Sequence, residues 1–363
     1  MDKPLLDLYS DYLLSSFGLT PATRLSNLVH GAISHDSVTR FLAHNRPTSK
    51  DLWRVVKSHV RQVESPDGVM VIDDSIEEKP YTDENDIICW HYDHSKDRQV
   101  KGVNFMTTLY VSKGIKLPVG FQIIAKTERY WDDKKGKEQR RSPISKNTYY
   151  QQLLSACVKN TIPFQYVLND VWYASADNMM FVKHMLKKSF IMPLKSNRKV
   201  ALSAAAKRQG QYTTVETLAF KKKAAVEIYL EGVDFPLLLV EQVFVNGDGS
   251  IGTLYLVTND TTLTFEQITT LYRKRWPVEE YHKSLKQNAS LEKSPARTET
   301  TQTTHFFAAL CAYIKLEMLK ASTHKSHESL KLSIYMEALM TAYEQLRALQ
   351  PIRFSERTPA WLT

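Results

Sequence analysis

The sequence predicts an α/β protein: a mixed sheet with flanking helices, an all-β insertion and a helical N-terminal unit. Three observations carry that prediction. Between residues 69 and 194, short apolar runs alternate with helical patterns, which indicates parallel strands joined by crossovers. Residues 199–258 break the alternation with β-rich runs and a turn at Asn246-Gly-Asp-Gly249, the mark of antiparallel strands. Amphipathic helical patterns fill both ends of the chain.

The 363 residues suit two or three structural units with a real core. A formal charge of +9 favours an acidic partner, of which nucleic acid is the commonest. The three cysteines, Cys89, Cys157 and Cys311, are few and far apart, which fits a reducing cytoplasm and not a disulfide framework. The N-terminus carries acids and a proline where a signal peptide needs basic and then unbroken apolar residues. No apolar run approaches membrane-spanning length, so no membrane partner is expected.

Residues 1–65 read as helical. Leu5, Leu8, Tyr9 and Tyr12 mark one stripe, and Ser34 caps a short helix that turns Val38, Phe41 and Leu42 inward. The turn at His30-Gly31 allows either a DNA-contacting helix-turn-helix or a plain bundle that braces the next unit. Ser65-Pro-Asp-Gly68 is a turn and a boundary. Val69–Ile72 is a buried strand, and Asp73-Asp74-Ser75 stands at its exit. Carboxylates are costly there unless they are solvated or bind something.

Residues 76–101 are polar and read as irregular. Cys89, His91, Asp93 and His94 suggest a loop carried near a site more than they suggest zinc, because no second ligand cluster has a plausible spacing. Val103–Val111 and Lys116–Ile124 are strands around the hairpin turn Ser112-Lys113-Gly114. Residues 126–146 read as a charged loop in which Lys126, Arg129, Lys134, Lys135, Lys137, Arg140, Arg141 and Lys146 are interleaved with Tyr130, Trp131 and four acids. Such a loop either grips phosphates and stacks bases or is merely solvated.

Ser145–Lys159 is a helix. Phe164–Leu168 is a second buried strand, and Asp170 stands at its exit in Asn169-Asp170-Val-Trp172. Ser175 caps a helix to about Lys187, and Phe190–Leu194 is another strand. Across Tyr212–Val215, Ala224–Leu230, Pro236–Val245 and Thr253–Val257 the strands turn antiparallel. Lys195, Arg198, Lys199, Lys207, Arg208, Lys221, Lys222 and Lys223 meet only Glu216 in the first half of that segment, which points to a polyanion-facing surface. Thr264 and Gln267 form a capping box that opens the next helix. Amphipathic helices at 303–321 and 327–349 close the chain.

The chain is organised around Tyr272–Gln287. Pro277 suits a first helical position, and Glu279 and Glu280 suit the first turn. Glu279, His282, Lys283 and Lys286 then share one helical stripe with few apolar partners. That stripe is either a solvated, salt-bridged face or a carboxylate ringed by cations beside a polyanion. Adjacent parallel strands would set Asp74 and Asp170 side by side, and a packed helix could deliver Glu279. Three carboxylates around divalent ions, with oxygen-only ligands, favour Mg²⁺ or Mn²⁺ and water-activated phosphoryl transfer.

Tyr272, Arg275, Glu279 and Lys286, separated by two, three and six residues, resemble the YREK signature of bacterial DDE-type insertion-sequence transposases, the insertion-sequence-four superfamily. Asp-Asp-Ser at 73–75 and Asn-Asp-Val-Trp at 169–172 look like that family's first two acidic boxes, and the β insertion is also the family's. The resemblance spans about residues 65–320. It implies an RNase H-like fold with Asp74, Asp170 and Glu279 as catalytic metal ligands for two ions, Mg²⁺ or Mn²⁺. Within the pair, the acid beside the hydroxyl residue is the family's ligand, so Asp74 is preferred to Asp73. Tyr272, Arg275 and Lys286 carry over as groups that position phosphate or the catalytic helix. Lys283, Arg198 and Lys221, Lys222 and Lys223 are the further DNA-binding candidates. Family members that cut through a DNA hairpin use a Trp in the insertion, and residues 195–258 contain none.

The expected units are residues 1–65, helical and DNA-binding or bracing; 66–198 with 259–322, the catalytic core; 199–258, the β insertion; and 323–363, a helical tail. The expected function is a cytoplasmic transposase that binds terminal inverted repeats in duplex DNA, cuts it with metal and joins the 3′-OH to target DNA, acting as a homodimer. A nuclease without strand transfer and a DNA-binding protein without activity are the alternatives.

Overall fold

A computed structural model describes residues 1–349 except 94–95, 134–135 and 222. The readings made above on His94, Lys134, Lys135, Lys222 and residues 350–363 lie outside the described residues.

Four helices come first: α1 (Lys3–Ser15), α2 (Ala22–Leu28), α3 (His35–His44) and α4 (Ser49–Val63). Ser34 caps α3 and Val38, Phe41 and Leu42 are buried. Then follow β1 (Val69–Glu78), β2 (Ile88–Asp93), β3 (Arg98–Ser112), β4 (Ile115–Ile123), β5 (Glu128–Asp132), β6 (Lys137–Arg141), α5 (Lys146–Lys159) and β7 (Tyr166–Leu168). Next are α6 (Ala176–Met180), continued by a π-type turn, β8 (Ser189–Leu194), β9 (Lys199–Ala201), α7 (Ala204–Arg208), β10 (Thr213–Thr214), β11 (Ala225–Leu230), β12 (Leu237–Val245) and β13 (Ile251–Thr258). The last helices are α8 (Phe265–Arg273), α9 (Pro277–Gln287), α10 (Glu299–Thr323) and α11 (His327–Leu349).

One mixed sheet runs β10-β9-β11-β12-β13-β8-β7-β1-β3-β2, with β4 also on β3. β7 lies parallel to both β1 and β8, while β3 and β13 pair antiparallel with β1 and β8. The insertion strands therefore extend the same sheet through β13. The apolar run of β1 is buried on both sides, as a central strand must be. On one face lies α5, where Cys157 Sγ meets Met70 and Thr108. On the other face Phe105 of β3 meets His282 of α9 and Phe306 of α10. α1 and α3 pack on α10, and α4 packs on β4.

Four expectations are corrected. Asp73 and Asp74 lie inside a ten-residue strand, because β3 goes on pairing after the parallel partner β7 has ended at Val71–Leu168. The supposedly irregular 76–101 region contains the end of β1, all of β2 and the start of β3. The 126–146 loop contains a separate two-stranded ribbon, β5–β6. α10 is not amphipathic: it runs through the interior and buries residues all round, including Phe307, Ala308, Ala309 and Leu310.

Candidate active site

A cleft of about 1040 Å³ opens where β1 outruns β7. Its lining includes Asp73, Asp74, Asp170, Arg275, Glu279 and Lys286. The loop after β7 supplies Asp170 because an apolar three-residue strand ends there; Asp170 Oδ1 accepts the Trp172 backbone N–H at 3.0 Å and starts a turn. α9 supplies Glu279. Pro277 stands at its first position, and the capping box of α8, with Thr264 Oγ1 accepting from Gln267 N, fixes the approach.

Neighbouring residues of a strand face opposite ways, and the two aspartates of β1 accordingly have different surroundings. Asp74 accepts from Lys146 Nζ at 2.7 Å, Tyr173 Oη at 2.5 Å and Asn104 Nδ2 at 2.9 Å. Burial alone would raise its pKa, but the Lys146 charge and these hydrogen bonds outweigh it and hold the group below the usual carboxylate range. Asp73 accepts from its neighbour's backbone N–H at 2.9 Å and lies 3.5 Å from Arg275 Nη1. Burial, then the charges of Asp170 and Asp74, push its pKa well up. Asp170, two residues past the Leu168 that pairs with Val71, is pushed to about 6 by burial and by Asp74.

The same Arg275 nitrogen that reaches Asp73 is 3.5 Å from Glu279, whose side chain is 54% exposed to the cleft. One guanidinium thus ties the β1 acid to the α9 acid. Its plane lies 5.9 Å from the Tyr272 ring, and Tyr272 Oη donates to Asn169 O at 3.2 Å. Lys286 Nζ donates to Ile76 O at 2.7 Å, and burial lowers its pKa. Tyr272 therefore braces α8 against the loop that carries Asp170, and Lys286 braces α9 against β1. His282 corrects the expectation of a solvated stripe: it is buried, with its pKa pushed down to about 3 by burial.

The other basic candidates are dispersed. Lys283 lines the cleft and pairs with Glu328 of α11 at 3.3 Å. Arg198 lies in a side notch of about 220 Å³ whose wall includes Trp172 and Lys195, with Lys195 Nζ 5.3 Å from the Trp172 ring. Lys221 and Lys223 are exposed and do not line the cleft. Sequence reasoning named Lys146 only among the cations of the 126–146 loop, and it missed Tyr173 and Asn104 as site residues. Of these two, Asn104 left a signal, as an amide set directly beside the apolar residues of β3.

As a donor set, Asp73, Asp170 and Glu279 offer only carboxylate oxygens, which suit a hard divalent cation. Burial first, and then like charge, lifts both groups: Asp170 and Asp74 act on Asp73, and Asp74 acts on Asp170. A bound cation would relieve that crowding of negative charge. As the side chains stand, no three His, Cys, Asp or Glu among the described residues converge closely enough to hold one. Arg275 lies between Asp73 and Glu279 instead. Cys89 Sγ and His91 Nε2 touch at 3.4 Å without a third such partner among the described residues.

A family model described as DDE superfamily endonuclease matches residues 2–216, and one described as Transposase DDE domain matches residues 144–315. Among solved structures, the Drosophila P element transposase strand transfer complex is similar at 14% identity, with TM-score 0.27, over 50% of this chain and 36% of that chain. No curated protein matches.

Proposed function

We propose that this chain, which belongs to the DDE superfamily endonuclease family and carries a transposase DDE domain, is a transposase of the YREK-signature group with an RNase H-like core. It binds terminal inverted repeats in duplex DNA, cuts the phosphodiester backbone and joins the freed 3′-OH to target DNA. The observation that carries this reading is the meeting of Asp73, Asp170 and Glu279 at one cleft, with Arg275 touching both Asp73 and Glu279.

The ligand set of this reading is Asp73, Asp170 and Glu279. It departs from the preference for Asp74, which is already held by Lys146, Tyr173 and Asn104. Asp74 instead fixes Lys146 at the rim, where the ammonium can meet phosphate. Bound Mg²⁺ or Mn²⁺, as one or two ions, would supply Lewis acidity and an activated water or 3′-OH at neutral pH. Arg275 swings from the carboxylates to a phosphate oxygen, for which its planar fork is suited. Tyr272 and Lys286 hold α9 so that Glu279 stays in register with the two aspartates. The domains follow the boundaries given above, with the β insertion and its lysines on the DNA path. A homodimer is supported by the apolar stripe Leu332, Met336, Leu339, Tyr343 and Leu346, exposed on α11 at coiled-coil spacing.

The test is cleavage and joining of labelled DNA from the sequence flanking the chain's own gene, in Mg²⁺ or Mn²⁺. Glu279→Gln should bind that DNA and cut it at least about a hundredfold more slowly, a loss of about 2.7 kcal/mol in transition-state stabilisation. Near-wild-type cutting by that variant removes Glu279 from the site. Cutting without joining by the wild type leaves a nuclease.

A further inference from the structure

The proposed reaction uses nothing between residues 127 and 144, yet that stretch is built. β5 and β6 form a two-stranded antiparallel ribbon that is not part of the main sheet. Such a ribbon is marginal alone, and cross-strand contacts hold this one. Arg141 Nε pairs with Glu128 at 2.8 Å, Arg129 Nη1 pairs with Glu138 at 3.3 Å, and the Arg141 guanidinium lies 5.5 Å from the Tyr130 ring. Its feet are fixed at the cleft. Ile124 and Lys126 before it, and Ser145 and Lys146 after it, line the cleft wall. Asp86 clamps both feet, accepting the Lys126 backbone N–H at 2.6 Å and pairing with Arg140 at 2.7 Å. Beyond the feet, Trp131 is 64% exposed.

We propose that the β5–β6 ribbon is a DNA arm that enters a groove of the duplex beside the cleft and grips the flank of the strand being cut. This rests on reading the cleft as a DNA-cutting site. The major groove of B-DNA admits a two-stranded β-ribbon. Five residues per strand give a reach of about 17 Å, at roughly 3.4 Å per residue, ample for that groove. Residues 126–146 carry eight Lys or Arg against four acids, an excess that favours a polyanion over another protein surface. The Arg129 and Arg141 ion pairs are solvent-exposed, hence weak and exchangeable for phosphate contacts. Register places Arg129 opposite Arg140, which Asp86 holds at the foot, and Trp131 opposite Glu138 on one face of the ribbon, so the exposed Arg129 cation and an exposed indole stand together. An exposed indole there has sugar and thymine-methyl surface to meet.

The experiment uses the full chain with residues 128–141 replaced by a short Gly-Ser bridge, which can close because Glu128 and Arg141 are directly paired. The probe is duplex DNA flanking the chain's own gene, followed by affinity at several salt concentrations and by hydroxyl-radical footprinting. The arm should contribute about tenfold or more in affinity, and its loss should make the salt dependence shallower and remove protection on one flank only. Trp131→Ala with Arg129→Ala, which leaves the ribbon in place, should reproduce part of that loss and decides the matter if the deletion fails to fold. Unchanged affinity, salt slope and footprint overturn the arm. If the wild type still cuts DNA in that case, only the arm falls; a wild type that binds no duplex overturns the arm and the reading of the cleft together. A deletion that changes the oligomeric state but not DNA binding assigns the ribbon to contact between copies and also overturns the arm.

Discussion

Asp73 and Asp74 are adjacent in sequence and opposite in electrostatic role. Asp74 sits among Lys146, Tyr173 and Asn104 and is held ionised, whereas Asp73 is buried beside Asp170 with Arg275 as its cation and is pushed toward its neutral form. A divalent ion would reverse the second condition by supplying the missing positive charge. In the cleavage assay, Asp73→Asn should therefore lose about a hundredfold or more in rate, and Asp74→Asn about tenfold, since the latter only frees Lys146. A melting curve separates them without catalysis: Mn²⁺ should raise the melting temperature of the wild type and of Asp74→Asn, and leave that of Asp73→Asn unmoved. Equal cation responses in the two variants would return the ligand role to Asp74. The Asp-Asp-Ser motif shows that one acid matters but not which. The choice depends on the face of β1 that α9 covers and the face that α5 covers, and that information lies far away in the chain.

At the level of elements, local signals located the starts of helices well and long-range ones poorly. Pro277 begins α9, Ser34, Ser145 and Ser175 cap their helices, and Lys113 and Gly114 take positive φ in the β3–β4 turn, all from rules that act within a few residues. The β5–β6 ribbon was not legible, because its largely charged residues match no buried-strand pattern, and β2 was not, because His91 is buried there while the aromatic Trp90 and Tyr92 are exposed. They are strands because a neighbour pairs with them. The fate of α11 was also illegible. The pattern gave an amphipathic helix at the end of the chain but not what its apolar stripe meets, and after Lys331 no residue of the helix up to Leu349 is buried; Leu339 is 43% and Leu346 54% exposed. Its root is fixed by His327, 2.9 Å from buried Glu317 of α10, and by Lys331, whose ammonium donates to Leu14 O at 2.7 Å. A firmly rooted helix with a bare coiled-coil stripe is suited to a second copy. Leu339→Glu with Leu346→Glu should convert a dimer to a monomer in sedimentation, and should reduce joining of paired ends more than cutting of a single end. A wild type that sediments as a monomer both with and without DNA would remove α11 from this role.

At the level of the whole molecule, the alternation between residues 69 and 194 was enough to give the parallel centre β1-β7-β8, because buried strands and crossover helices leave their periods in the sequence. What it could not give is the merging of the parts: one hydrophobic core runs from α1 through the sheet to α10. His305 shows how the ends are joined. It is fully buried on α10, with Nδ1 3.0 Å from Tyr9 Oη of α1 and Nε2 3.2 Å from Ser290 O after α9. The neutral ring satisfies both partners when Nε2–H donates to the carbonyl and Nδ1 accepts from the tyrosine. Burial pushes its pKa from 6.5 down to about 4. The folded state thus binds fewer protons than the unfolded state between those values, so this contribution is complete above pH 6.5 and is lost as pH falls toward 4, amounting to about 3 kcal/mol at the limit. Asp170 acts in the opposite sense. Its pKa is raised to about 6, so its contribution is present at low pH and is lost as pH rises from about 4 to 6. Wild-type stability alone would mix the two, and a comparison with His305→Gln isolates the first. The variant should be less stable than wild type at pH 7.5, from lost packing, and the difference in unfolding free energy should shrink steadily as pH falls from 6.5 to 4.5. A difference constant across that range would mean that His305 keeps an ordinary pKa and that the junction of α1, α9 and α10 is open to water.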